Sequence, residues 1–278
     1  MPFAYRLLSA LRRHWPHYVA EALGLAFFVG SAGLLTILFE HPASPVRQSF
    51  AESHLLRRGL LGLGMGLVLV IVIYNPWGKR SGAHINPAVT LAFYQLGKIR
   101  LPDAVWYVLA QLCGAIGAAH LLKLCLPEFY AHPAVKYTVT QPHPLYLQGE
   151  LIAFAAEFII CFMMMLVTLI ALHSSRLKKW AGWLLGALVA LYILVETPYS
   201  GMSLNPARSL GTAVAAGHYH ALWVYWVAPC LAMWLATVGF LRFHHGQPLE
   251  CAIMAGCGPS PSSPHASHDE EPPQYPDE

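Results

Sequence analysis

Two Asn-Pro-Ala tripeptides, Asn86-Pro87-Ala88 and Asn205-Pro206-Ala207, are the groups in this chain best fitted to a chemical task. Each follows a short Gly-led stretch, Gly82-Ala83-His84-Ile85 and Gly201-Met202-Ser203-Leu204. The chemistry they suit is recognition, not bond making. Asn is a favoured helix N-cap and Pro is favoured at the first helical position, so each tripeptide predicts a helix start. A capping Asn spends its side-chain oxygen on its own helix and keeps the amide NH₂ as a donor. Two helix starts facing one another would bring two donors and two positive dipole ends together, with carbonyls from the unwound stretches on either side. Such a line suits small uncharged hydroxylic molecules and opposes cations and protons.

Three charged residues in or beside apolar sequence stand out. Arg208 directly follows the second tripeptide, and an intramembrane charge is functional by default. Glu21 and Glu157 occupy matching places in the two halves. A proton relay is one reading of them. Their symmetry favours a second, in which each carboxylate accepts hydrogen bonds from the backbone of an unwound loop. His84 reads as a loop-holding residue, with titration in the pore as the alternative. Ser174 and Ser175, beside Arg176-Leu177-Lys178-Lys179, read as a solvated connector, with phosphorylation as the alternative. No nucleophile and base stand at a catalytic spacing, so no enzyme is expected. The six cysteines have no paired spacing, which argues against disulfide and zinc frameworks; no metal or cofactor is expected, and lipidation of Cys251 and Cys257 is a minor alternative.

These residues need elements to hold them, and composition says where. The chain is 56% hydrophobic and only 11% charged, with a mean hydropathy of +0.48. A soluble domain carries about 25% charged residues. The +3 net charge forms no long basic run, so no nucleic-acid partner is expected. Apolar runs predict six spans, at about 18–39, 56–76, 103–125, 150–172, 180–197 and 221–243. Lys and Arg concentrate on the side of the termini, which places both ends in the cytoplasm, with Arg57 and Arg58 opposing. Segments 86–96 and 205–216 are too short to cross and predict half helices that meet at the midplane.

The halves echo one another beyond the tripeptides: Ala20-Glu21 matches Ala156-Glu157, and Ala110-Gln111 matches Ala228-Pro229. Three spans and a half helix, repeated, invert the second copy, a pattern that points to a midplane transport site. The expected layout is an N-terminal cytoplasmic segment 1–17, a first repeat 18–125, an external loop 126–148, a second repeat 149–245 and a disordered cytoplasmic tail 246–278. The fold class is an all-α membrane protein with six transmembrane helices and two re-entrant half helices in an inverted repeat.

With its doubled Asn-Pro-Ala and its two Ala-Glu pairs, the chain resembles the major intrinsic proteins, the aquaporin and aquaglyceroporin family, over about residues 15–245. The resemblance implies a passive channel in a cell membrane, plasma or inner, assembled as a homotetramer with one pore per subunit. It makes Arg208 the arginine of an external selectivity filter. Counting from the motifs puts Ile193 where water-selective members carry His, Met202 at the loop position, and either Met65 or Gly66 at the second-span position, the local pattern favouring Met65. Loss of the His should weaken discrimination against small polyols. Ser209, Ala213 and Tyr225-Trp226 are instead the forms typical of water channels. The expected partners are the lipid bilayer and water. A channel that also passes glycerol or other small neutral solutes is the alternative, ahead of a coupled transporter or a structural junction protein.

Overall fold

The computed structural model describes residues 2–143, 147–243 and 253–254. Every regular element among them is helical. The first, α1 (Phe3–Glu40), continues through Pro16 and is 38 residues long. At 1.5 Å per residue it extends about 57 Å, well beyond a hydrocarbon core of about 30 Å. The expected separate segment 1–17 is thus mostly the start of this helix. Its Leu, Ala and Arg residues favour helix, and its polar side chains dock on a later span: the Tyr18 hydroxyl donates to Asp103 at 2.7 Å, and His14 lies 2.7 Å from the same carboxylate.

The first half continues with α2 (Pro45–Ser49), α3 (His54–Tyr74), α4 (Pro76–Ser81), α5 (Pro87–Gln95) and α6 (Leu101–Cys125). The short α7 (Pro127–Ala131) lies in the connection between halves. The second half comprises α8 (Gly149–His173), α9 (Ala181–Val195), α10 (Thr197–Ser200), α11 (Pro206–Ala216) and α12 (Val224–Phe243). Among the described residues six helices are long and apolar enough to cross a membrane: α1, α3, α6, α8, α9 with the turn before it, and α12. Apart from the extended α1, they fall within a few residues of the expected spans. The protein is an integral membrane protein by this measure.

Packing repeats the sequence symmetry. In the first half α1 lies along α6, and in the second α8 lies along α12. The half helices cross over, α5 packing on α12 and α11 on α6, so neither half closes without the other. The halves also meet where α3 crosses α9. There Gly62, Gly66 and Gly186 let backbones touch: a methyl at 66 would stand 2.5 Å from the Gly186 carbonyl oxygen. Small residues four apart are what close helix crossings in lipid require.

Arg57, which opposed the assigned orientation, is fully buried. It donates to the carbonyls of Phe50 and Ala51 at 2.7 and 2.8 Å and pairs with Glu40 at 3.3 Å. It therefore clamps the connection between α1 and α3, and its position reflects packing, not a topogenic charge. The expected disordered tail falls mostly outside the described residues, as do Cys251 and Cys257. Ile253 and Met254 depart from that expectation, since both are buried against the helical body, where their apolar side chains join its core.

Candidate pore

Each Asn-Pro-Ala opens a half helix. Asn86 caps α5 by accepting from the Ala88 N–H at 2.9 Å, and Asn205 caps α11 by accepting from Ala207 and Arg208 at 3.0 and 3.3 Å. Pro87 and Pro206 occupy the first helical position, where no N–H is needed. The amide groups then reach across: Asn86 Nδ2 donates to the Leu204 carbonyl at 2.8 Å, and Asn205 Nδ2 donates to the Ile85 carbonyl at 2.7 Å. The sequence-based reading had both hydrogens of each amide free for a solute. One is spent on joining the two loops, which leaves one per Asn.

The unwound stretches before the half helices share one conformation. Gly82 and Gly201 take φ of 92° and 83°, the left-handed region open to glycine. Ala83 and Ile85 are matched by Met202 and Leu204, all at positive φ, which costs a β-branched residue such as Ile85 about 1–3 kcal/mol. Buried acceptors offset that strain. Glu21 takes the N–H groups of His84 and Ile85 at 3.0 and 2.5 Å, and Glu157 those of Ser203 and Leu204 at 2.6 and 2.9 Å. Both carboxylates are fully buried and also accept from a serine hydroxyl, Ser81 or Ser200, at 2.7 Å. Their oxygens are so occupied, and neither residue lines a cavity at the motifs.

Sequence reasoning missed that serine layer. Ser81 and Ser200 each stand five residues before an Asn of a motif. Their hydroxyls accept from the Ala83 and Met202 N–H groups at 3.2 and 3.1 Å. Their carbonyls accept from the Tyr107 and Tyr225 hydroxyls at 2.6 Å. Aligning the two halves outward from the tripeptides would have shown Ser81 against Ser200, and a gap of one residue after the motif brings Tyr107 against Tyr225.

Two cavities adjoin the motifs. One, about 80 Å³, is lined by Ala83, His84, Ile85, Asn86, Leu204 and Asn205 among others. The other, about 340 Å³, is lined by Met65, Ile193, Gly201, Met202 and Arg208, with Glu40, His54 and Arg58 also on its wall. Phe28, Met202 and Ser203 line both, so the two cavities adjoin. Phe28 lies two helical turns beyond Glu21 on the same face of α1, a spacing that could have flagged it. Of the two second-span candidates, Met65 lines the larger cavity and Gly66 is turned to α9. Gly82, Pro87, Ala88, Pro206 and Ala207 line neither.

Arg208 brings a charge to this wall, and its Nη1 is buried with no hydrogen-bond partner among the described residues. Ser209, behind it, bonds Thr140 and Ser203 at 2.7 and 2.6 Å and ties the connecting loop to α11. His84 stacks on Phe93 with ring centroids 4.7 Å apart and meets the Thr90 hydroxyl at 3.2 Å, a held position consistent with loop support.

Comparison with known proteins agrees with this geometry. Residues 9–240 match the family described as major intrinsic protein. The chain is 40% identical to aquaporin NIP3-1 of Oryza sativa subsp. japonica over 167 residues, 60% of this chain and 51% of that protein. It is 37% identical to aquaporin NIP1-1 of Arabidopsis thaliana over 170 residues, 60% and 56% of the two lengths. It is 34% identical to nodulin-26 of Glycine max over 214 residues, 76% and 71%. The match thus spans about half the length of the first two relatives. The X-ray structure of the aquaglyceroporin from Plasmodium falciparum shares the fold, with a TM-score of 0.65 and 24% identity over 81% of this chain and 94% of that one.

Proposed function

The chain belongs to the major intrinsic protein family, and on that premise we propose that it is a passive channel that conducts water and excludes protons and ions, not an enzyme. The observation that carries this reading is the paired bond between the motifs. Because each Asn gives one amide hydrogen to the opposite loop, at 2.8 and 2.7 Å, the remaining donors are held in fixed places on one cavity wall. A water whose oxygen accepts from them turns its own hydrogens toward the loop carbonyls on either side. It then has no hydrogen-bond acceptor role left for the next water, which interrupts proton hopping.

The half-helix ends add an electrostatic barrier. Each contributes about half a positive charge, so two opposed ends act as about one. At an effective dielectric constant of about 20, a monovalent cation about 5 Å from that charge is opposed by about 3 kcal/mol, a partition penalty of more than a hundredfold. Arg208, on the wall of the other cavity, repeats the exclusion there.

A second reading adds glycerol or other small neutral solutes. The favouring observation is the wall opposite Arg208, where Met65, Ile193 and Met202 are all apolar. Such a wall matches the carbon face of a polyol while Arg208 binds its hydroxyls. Stopped-flow light scattering on proteoliposomes separates the two: an osmotic water permeability above empty liposomes supports the channel, and shrinkage followed by reswelling in a glycerol gradient adds the second solute. The orientation that follows from the basic residues places both termini in the cytoplasm of a plasma or inner membrane. A homotetramer is the assembly the family suggests.

A further inference from the structure

We propose that Ile253 and Met254 form an inhibitory plug that seats in the terminus-side mouth of this chain's own pore; the proposal rests on the channel reading above. The Met254 N–H donates to the Gly82 carbonyl at 3.1 Å. Gly82 begins the unwound stretch that leads to Asn86, so the bond ties Met254 to the start of that loop. Met254 is only 4% exposed, and its side chain lines the same cavity as His84, Asn86 and Asn205. Ile253 beside it is equally buried. The cavity that Met254 helps to line is about 80 Å³, against about 340 Å³ for the one beside Arg208. A water needs roughly 10–15 Å³ of such space, so the plugged side holds only a few.

The contact has the strength a reversible plug needs. It includes a backbone hydrogen bond and two apolar side chains, and it comes from the same chain as the pore, so its local concentration is high without a tight interface. Methionine suits the task because its unbranched thioether fills irregular gaps and tolerates repacking. The loop it touches is also held by Glu21, which accepts from the Ser81 hydroxyl and from the His84 and Ile85 N–H groups.

The test reconstitutes the full chain and its Ile253→Gly/Met254→Gly variant at matched density and compares osmotic water permeability, with Met254→Leu as the conservative control. The proposal expects a several-fold rise for the double-glycine variant and wild-type permeability for Met254→Leu. Wild-type permeability in both variants overturns the plug and leaves the channel reading intact. Neither wild type nor variant exceeding empty liposomes overturns both. Hydrogen–deuterium exchange on the wild-type chain is independent of variant folding: the Met254 amide should exchange much more slowly than in an unstructured peptide, and exchange at the peptide rate overturns the plug.

Discussion

Met65 and Gly66 are neighbours on α3 that serve opposite surfaces: Met65 lines the cavity beside Arg208, and Gly66 lies against the Gly186 backbone of α9. One turn of helix thus sets both the bore and the closeness of the two halves. A methyl at 66 has nowhere to go at 2.5 Å from a backbone oxygen. Gly66→Ala should therefore lower stability by about 1–3 kcal/mol through overpacking, read as a lower Tm in detergent. Met65→Ala should instead raise the ratio of glycerol to water permeability, and an unchanged ratio would remove Met65 from the constriction.

Arg208 supplies the charge at the wider cavity. Arg208→Val should admit larger neutral solutes and weaken cation exclusion while water still passes. Solute-dependent reswelling rates measure the first effect and conductance in planar bilayers the second. If both match wild type, the filter lies elsewhere.

Glu21 and Glu157 each hold two backbone N–H groups and a serine hydroxyl. In Glu157→Gln the new NH₂ must face donors, and hydrogen bonds to a charged group, worth about 1.5–3 kcal/mol each, become weaker. The expected outcome is a lower Tm and a lower water permeability without any change in its pH profile. A shift of that profile would instead indicate a proton-handling role.

Outside the spans, His41 contacts His132 with ring centroids 4.5 Å apart and packs on Phe129. Its pKa is held below the ordinary 6.5, first by desolvation and then by the charge of His132. The folded state thus binds the proton less readily than the unfolded chain, so the stability tied to His41 is present above about 6.5 and lost as the pH falls through it. Hydrogen exchange in the 40–52 and 127–138 segments should accelerate at pH 5 relative to pH 7.5. His41→Gln should reduce that difference, and an undiminished difference would assign it to other groups.

Much of this was legible in the sequence because membrane spans and helix starts are local signals. An apolar run of the right length and an Asn-Pro pair each specify an element without help from elsewhere, and the spans and half helices lie close to where they were expected. Tertiary relations were harder. Arg57 reads as a surface charge until Glu40 and two loop carbonyls surround it. The amides of Asn86 and Asn205 read as free until the opposite loop supplies an acceptor. Met254 lies in a Pro- and Ser-rich tail whose composition predicts no packing, yet its own side chain is apolar and finds an apolar site.

The most direct test of the account is a paired measurement on proteoliposomes loaded with a pH-sensitive dye, in which osmotic shrinkage and proton entry are followed on the same preparation. The account predicts water permeability well above empty liposomes with proton entry no faster than theirs. Proton entry that rises with the amount of reconstituted protein, or water permeability equal to that of empty liposomes, would contradict it.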